Sequence, residues 1–250
     1  MTGASAGGLS ATLHVDRIAE LLGSPAIVAG VPQCGFFPYT NGTCLGHTDT
    51  GFCNTTDDFR AIVVEMNASA ALLPSCLREH SDDEAWRCIM APTAEPFVSA
   101  PLFFWQSKFD HAQLALFLGL DCMIAQAYSP PWVQNVTCSA NETAAVTAFG
   151  ALFMAQFATV LAAPGPRRAA FLTSCVLHSM DFNLLSVQDT NPRVAFNLWF
   201  MAVRNAAGRI PLIDNDFKWA EDLALPRTDN PLACPPFDFQ QVPGLFVDEA

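Results

Sequence analysis

The first eight residues constrain the fold of this chain more than any other stretch. Small residues surround one serine in the segment Gly3–Gly8, and glycines on both sides allow the backbone to turn sharply. Apolar residues then recur at helical spacing until Gly23, which ends the pattern. The segment therefore predicts a tight turn that leads directly into a helix, with the serine at the turn.

A serine at such a turn is typical of a nucleophile elbow, in which a strand enters the turn and the hydroxyl is exposed at the end of a sheet. Ser5 is then the candidate nucleophile, and the amide of Ala6 is the candidate oxyanion-hole donor. Only two residues precede Gly3, so we expect the strand that should enter the turn to be missing. We expect the chain to begin partway through a domain. A flexible tail is the alternative interpretation.

Composition separates a few broad classes of protein. With 51% hydrophobic residues in 250, the chain is long and apolar enough to form a large core, which excludes intrinsic disorder. The net charge of −12 and the scattered Lys and Arg residues argue against nucleic acid as a partner. The cysteines show no CxxC pair and no zinc-finger spacing, so we expect no structural metal, and nothing in the sequence indicates a cofactor.

Cysteines and glycan sequons both indicate the secretory pathway. Nine cysteines are typical of an oxidising compartment. Local bridges Cys44–Cys53, Cys76–Cys88 and Cys122–Cys138 are possible, and the odd count implies a free thiol or a partner outside the chain. Composition alone predicts about 1.3 sequons, whereas the chain has five, at Asn41, Asn54, Asn67, Asn135 and Asn141. We expect a secreted or cell-wall glycoprotein whose signal peptide lies in missing upstream sequence.

Strand and helix patterns alternate along the chain. Apolar runs at 26–30, 101–106 and 168–175 predict buried strands, while 57–73, 142–163 and 192–207 predict helices. Alternation of this kind indicates an α/β layered fold with a mostly parallel sheet. No linker divides the chain, so we interpret residues 1–250 as one partial domain whose N-terminal strands are missing.

The segment 144–163 carries no charged residue, and its length is sufficient to span a bilayer. Its larger apolar side chains favour one side of a helix, and alanines cover the other. We therefore predict a helix buried in the protein rather than a membrane span.

Two further residues complete a possible catalytic set. A nucleophilic serine requires a base, and the base requires a carboxylate that fixes its tautomer. Asp110 follows the second predicted strand and His178 follows the third, in the chain order Ser, Asp, His of α/β-hydrolases. Taken alone, an Asp at the end of a strand is more often a cap for the helix that follows, and residues 111–117 supply such a helix after Asp110. His111 is the only rival base, but its position next to Asp110 turns its side chain away.

Three segments together resemble the pectin acetylesterase/Notum family of secreted carboxylesterases: Gly3–Gly8, Phe103–Leu114 and Ser174–His178. Members of that family carry a Gly-x-Ser-Ala-Gly-Gly elbow, an acid in a Phe/Tyr-Asp-x-x-Gln context and a base in a Cys-x-x-His context. The resemblance implies an α/β-hydrolase-like fold with Ser5 as nucleophile, Asp110 as orienting acid and His178 as base. It covers nearly the whole chain.

The resemblance also implies the substrate class. It indicates hydrolysis of O-acetyl esters on a cell-wall polysaccharide, with deacylation of a lipid-modified protein as the first alternative. A non-catalytic extracellular glycoprotein of the same fold is the second. The family's glycine-rich oxyanion loop lies upstream of the elbow and is absent here. Because loss of one oxyanion donor costs about 2.7–4 kcal/mol of barrier, we expect this chain alone to be poorly active or unfolded.

Overall fold

A five-stranded sheet organises the protein, and every neighbouring pair of strands in it is parallel. The computed structural model describes residues 1–40, 55–123, 138–178, 185–208 and 216–224. The strands lie in chain order across the sheet: β1 (Thr2–Ala4), β2 (Val31–Gln33), β3 (Leu102–Phe109), β4 (Arg168–Val176) and β5 (Lys218–Ala220). A parallel sheet with helical connections is the α/β fold that the alternating pattern predicts.

Helices connect the strands and cover both faces of the sheet. The α-helices are α1 (Ala6–Leu22), α2 (Thr55–Glu65), α3 (Pro74–Arg78), α4 (Ala91–Ala94), α5 (Ala140–Ala162) and α6 (Pro192–Gly208). Short 3₁₀ turns lie at Ala68–Ala71, Ala85–Ile89, Glu95–Phe97 and Gly165–Arg167, and a π-helical turn lies at Gln113–Phe117. The helix predicted over 57–73 is therefore shorter, because α2 ends at Glu65 and a 3₁₀ turn follows.

The long central strand β3 divides the core into two layers. All eight of its residues are buried, as expected for a strand covered by helices on both faces. Leu102 and Phe104 belong to the apolar cluster beneath α1 and α5, whereas Phe103 and Trp105 belong to the cluster beneath α6. The two-residue alternation of a strand distributes these side chains between the two layers.

The N-terminal strand corrects one prediction. The strand that should enter the elbow was expected to be lost, but Thr2–Ala4 form β1 and pair in register with Val31–Gln33. Met1 extends this pairing, since its carbonyl accepts from the amide of Val31. Three residues are too few for a periodicity argument to detect, and a parallel partner is what defines them as a strand.

The strand predicted at 26–30 is also wrong in position. Strand β2 begins at Val31, and of the predicted run only Gly30 makes a β-bridge, to Leu102. Apolarity marks a segment as buried, whereas strand assignment requires a paired neighbour. The residues that pair with β1 are Val31–Gln33, and these therefore form the strand.

Helix α5 contains the uncharged segment, and among the described residues it is the one helix long and apolar enough to cross a membrane. It packs against the sheet instead. Phe153 and Phe157 lie in the aromatic cluster with Phe36 and Phe104, and a Cβ atom at Gly150 would lie 2.6 Å from the ring of Phe109. This helix is part of the core.

Two of the three proposed disulfides are present, Cys76–Cys88 and Cys122–Cys138. Cys175 is also disulfide-bonded, and Cys34 is the free thiol among the described residues. Cys44 and Cys53 lie outside the described residues. Of the sequon asparagines, Asn67 and Asn141 are exposed, which makes both accessible to a glycan. The other three, Asn41, Asn54 and Asn135, lie outside the described residues.

Candidate active site

The turn at Ser5 has the backbone of a nucleophile elbow. Strand β1 ends at Ala4, helix α1 begins at Ala6, and Ser5 between them adopts φ 58° and ψ −125°. Non-glycine residues rarely occupy this region, and such strain is concentrated at functional sites. The amide of Ser5 donates to the carbonyl of Gln33 at 2.9 Å. The turn is therefore fixed to the end of β2.

Close contact between strand and helix explains the glycines around the turn. A Cβ atom at Gly3 would lie 2.3 Å from the carbonyl oxygen of Gly7, and one at Gly8 would lie 2.5 Å from the carbonyl oxygen of Gln33. Neither position has room for a side chain, because main-chain atoms block both. Gly7 differs, since a Cβ atom there would meet nothing within 4 Å. Among the described residues, none therefore occupies the position in front of Gly7 at the helix N-terminus.

The N-terminus of α1 offers two amides beside this position. In the described part of the chain, no acceptor receives the N–H groups of Ala6 and Gly7, and both residues are exposed. The first N–H groups of a helix have no partner within it, and the helix dipole adds partial positive charge there. The amide of Ala6, next to the serine, is therefore available to an external acceptor.

Asp110 and His178 form a hydrogen-bonded pair at the same end of the sheet. Asp110 directly follows β3 and His178 lies two residues after β4. The Nδ1 atom of His178 lies 2.9 Å from Oδ1 and 3.0 Å from Oδ2 of Asp110. The carboxylate is fully buried, whereas 26% of the imidazole side chain is exposed. Because Nδ1 bonds to the carboxylate, Nε2 is the ring nitrogen that has no partner among the described residues.

The carboxylate of Asp110 has further partners that fix its orientation. Its Oδ1 atom accepts from the amide of Gln113 at 3.1 Å, so the residue also caps the helical turn after β3. The amide group of Gln106 lies 3.5 Å from Oδ2, and its Oε1 accepts from the amide of Phe36. Both interpretations of Asp110, cap and partner of histidine, therefore apply to one side chain.

The two histidines of the site differ in their titration. Burial lowers the pKa of His178, but the hydrogen bond and the charge of Asp110 raise it by more, so that this pKa lies above its ordinary value. Burial also lowers the pKa of His111, and there it is the larger effect. His111 places Nε2 3.0 Å from the carbonyl oxygen of Met123. Nε2 of His111, the alternative candidate base, is therefore bound to the main chain at Met123.

One residue of the site was not predicted as part of it. Cys34 follows β2 at φ 46° and is buried, and its Sγ lies within 4.8 Å of ligand atoms of both Asp110 and His178. Burial and the charge of Asp110 raise the pKa of this thiol well above its ordinary value. The odd cysteine count predicted a free thiol, but no local pattern placed it here.

Three groups of metal-ligand type occur among the described residues. Two of them take their sulfur atoms from the disulfides Cys76–Cys88 and Cys122–Cys138. A disulfide sulfur is not a thiolate, so neither group offers the ligands that zinc requires. The third group is Cys34 with Asp110 and His178, whose carboxylate and imidazole already bond to each other.

Comparison with known proteins identifies the class to which this fold and site belong. The family model described as pectinacetylesterase matches residues 1–219, and the chain belongs to the pectinacetylesterase family. This confirms the resemblance drawn from the three sequence segments.

Individual relatives fall into two groups. Pectin acetylesterase 7 of Arabidopsis thaliana is 27% identical over 208 residues, which are 82% of this chain and 50% of that protein. Palmitoleoyl-protein carboxylesterase NOTUM of Homo sapiens is 34% identical over 125 residues, 46% of this chain and 24% of that protein. The chain thus spans half or less of the length of these relatives.

Solved structures confirm the fold. The structure of the Wnt deacylase Notum from Drosophila superimposes with a TM-score of 0.60 at 22% identity, covering 90% of this chain and 59% of that one. At this level of identity the likeness concerns the fold, which is of α/β-hydrolase type.

Proposed function

We propose that this chain carries a serine carboxylesterase site, with Ser5 as nucleophile, His178 as general base, Asp110 as orienting acid and the amide of Ala6 as oxyanion donor. The observation that carries the proposal is the bond of both Asp110 oxygens to Nδ1 of His178. If Asp110 were only a helix cap, it would not need a histidine as partner. If His178 were only an isolated histidine, it would not need a buried carboxylate. The strained turn of Ser5 at the same edge of the sheet supplies the third member.

The proposed reaction is a two-step acyl transfer. Nε2 of His178 accepts the hydroxyl proton of Ser5 as Oγ attacks the ester carbonyl, and the Ala6 amide stabilises the oxyanion. The imidazolium then gives its proton to the departing alcohol. Water attacks the acyl-serine with His178 again as base, the acid is released, and the serine recovers its proton. Asp110 holds the tautomer in which Nε2 is the free nitrogen.

The substrate that we propose is an O-acetyl ester on a cell-wall polysaccharide. A pectin acetylesterase matches this chain over 82% of its residues. A long-chain acyl ester on a protein is the second candidate, favoured by 34% identity to a palmitoleoyl-protein carboxylesterase over a shorter region. A non-catalytic glycoprotein of the same fold is the third.

We also propose that the protein is secreted. Disulfides persist in oxidising compartments, and Cys76–Cys88, Cys122–Cys138 and the bonded Cys175 are three independent signs of one. Exposed sequons at Asn67 and Asn141 agree with that location. The net charge of −12 argues against nucleic acid as a partner on electrostatic grounds. The proposed partner is the ester substrate.

Labelling with a fluorophosphonate tests the site directly. The probe reacts with an activated serine without needing full turnover, so it also tests a chain whose hydrolysis is slow. We expect the parent chain and a Ser10→Ala control to be labelled, and a Ser5→Ala variant to take no label. Equal labelling of all three, or none in the parent chain, would contradict the proposal and favour the binding protein.

Acyl chain length separates the two candidate substrates. Aryl acetate and aryl octanoate should be compared with the same chain at equal concentration. Preference for the acetate supports the polysaccharide acetylesterase, whereas preference for the octanoate supports the protein deacylase. The prediction that this chain hydrolyses esters only slowly is measured in the same assay.

A further inference from the structure

The two central strands lose register by one residue just before the acid–base pair. Strand β3 advances two residues from Ser107 to Phe109, while β4 advances three, from Thr173 to Val176. Two residues of β4 therefore lie opposite one residue of β3. This arrangement is a β-bulge in a parallel pair of strands, where bulges are rare, and bulges often re-aim a side chain next to an active site.

Three side chains satisfy the main-chain groups of the bulge. The hydroxyl of Ser107 donates to the carbonyl oxygen of Cys175 and accepts from the amide of Phe109 at 3.1 Å. The hydroxyl of Thr173 accepts from the amide of Cys175 at 3.2 Å. Glu221, which follows β5, accepts from the amide of Ser174 at 2.8 Å. Ser107 is the one that bonds to both strands, and it is fully buried.

Beyond the bulge the two strands pair again, and Asp110 and His178 follow directly after this renewed pairing. Phe109 lies opposite Val176, and the amide of His111 donates to the carbonyl of Leu177 at 3.3 Å. Each of these contacts adjoins one member of the acid–base pair. Because side chains alternate along a strand, a shift of one residue reverses the direction of every side chain that follows. The extra residue in β4 therefore decides on which side His178 emerges.

We propose that Ser107 is a positioning residue, which holds the bulge in β4 and thereby directs the imidazole of His178 onto the carboxylate of Asp110. Thr173 and Glu221 support the same bulge from the other side. The expected effect on the labelling rate rests on the proposed esterase function. The expected effect on the position of the His178 imidazole does not.

The chain offers a matched control at Ser174. Both serines are fully buried and lie on adjacent strands at the same bulge. The hydroxyl of Ser174 has no hydrogen-bond partner within the described residues, whereas that of Ser107 has two. Removing either hydroxyl deletes one buried oxygen atom, but only Ser107→Ala leaves a carbonyl and an amide of the bulge without their partner.

The test is the titration of His178, followed by NMR of the histidine ring in the full chain, together with the rate of fluorophosphonate labelling. Within the described residues, the titratable groups near this imidazole are Asp110, His111 and Cys34. In Ser107→Ala we expect the pKa of His178 to fall, because burial remains while the effect of Asp110 weakens. Labelling should slow about 10- to 100-fold, as for a small misplacement of a catalytic group. Ser174→Ala should change neither.

The outcomes separate a positioning role from a structural one. Unfolding would return the pKa of every histidine to its ordinary value, so the pKa of His178 is taken from the signals of the folded protein, in which the proposal expects it alone to change. Equal pKa values in the parent chain and Ser107→Ala would overturn the proposal. A lower pKa in Ser107→Ala together with an unlabelled parent chain would support the positioning role and refute the esterase.

A second pair of variants covers the case in which Ser107→Ala does not fold. Glu221→Gln keeps an oxygen that accepts from the amide of Ser174, and Glu221→Ala removes it. We expect a lower pKa of His178 in the alanine variant and the parent value in the glutamine variant. Identical titration in both would also count against the proposal.

Discussion

Strand β4 carries a pair formed by a basic side chain and a carboxylate at each end, and the two pairs differ in how many nitrogen atoms of the basic side chain are engaged. At its first residue, Arg168 bonds to Glu95, and both side chains are 3–4% exposed. Two residues past its last, His178 bonds to Asp110 with a quarter of the imidazole exposed. The first pair lies entirely inside the protein, whereas the second reaches the surface.

The donors of Arg168 are fully engaged. Besides the carboxylate, its guanidinium donates to the main-chain carbonyls of Glu95, Val98, Ala100 and Arg167. His178 by contrast bonds through Nδ1, and its Nε2 is the nitrogen that the proposed mechanism uses. The comparison teaches that a pair with every donor satisfied holds the fold together, while a pair with one nitrogen to spare can move a proton.

Replacing the acid should give the largest effect. Asp110→Asn keeps the shape of the side chain but presents an amide to Nδ1, which favours the wrong tautomer of His178. We expect the rate of fluorophosphonate labelling to fall on the order of 10⁴-fold, with little change in melting temperature. A fall of less than tenfold would mean that Asp110 acts only as the cap of the turn after β3.

The matching change at the other pair should affect stability instead. Glu95→Gln leaves the buried charge of Arg168 without its partner, which costs about 3–5 kcal/mol of unfolding free energy. Urea unfolding measures this, and the labelling rate per folded molecule should stay the same. Glu20→Gln is the control, since the Arg17–Glu20 pair is exposed and its loss costs less than about 1 kcal/mol. A cost that small at Glu95 would contradict the comparison.

Changing the pH should affect one pair and not the other. The base must be neutral, so labelling should rise with pH through a pKa above about 6.5, the ordinary histidine value. The stability from protonated His178 beside Asp110 is fully present below that value. It is lost as pH rises through the raised pKa of the folded protein. Arg168 keeps its charge throughout this range.

The labelling rate and the free energy of unfolding, measured from pH 5 to 9, check this prediction. In Asp110→Asn the raised pKa should disappear. An acidic limb centred below pH 6.5 in the parent chain would show that burial, rather than Asp110, dominates at His178.

The smallest effect is expected at the edge of the structural pair. The hydroxyl of Thr159 donates to the carboxylate of Glu95 at 3.5 Å, a long contact beside the much closer bond to Arg168. Thr159→Val should lower the free energy of unfolding by about 0.5–1.5 kcal/mol and leave labelling unchanged. A loss as large as that of Glu95→Gln would show that Arg168 alone does not satisfy the carboxylate.

Local patterns in the sequence predicted the parts of the fold that are long and periodic. Strands β3 and β4 and helices α5 and α6 lie within a few residues of their predicted bounds, because uninterrupted apolar runs are strong signals. The pattern failed where a short segment depends on a distant partner. Strand β1 has three residues, and only its pairing with Val31–Gln33 makes it a strand.

The site was predictable to the same extent. Ser5, Asp110 and His178 each carry a local motif, so the sequence places them on the chain and the topology places them at one edge. Cys34 and Ser107 carry none. Their positions near the candidate site depend on contacts between β2, β3 and β4, and a one-residue bulge leaves no periodic pattern in either strand.

The conformation of Ser5 has a consequence for any attempt to improve this protein. A non-glycine residue at φ 58° and ψ −125° costs about 1–3 kcal/mol, and glycine would relieve that strain. Selection for thermal resistance alone would therefore favour a substitution that deletes the proposed nucleophile. The most durable version of this sequence and the reactive version differ at position 5.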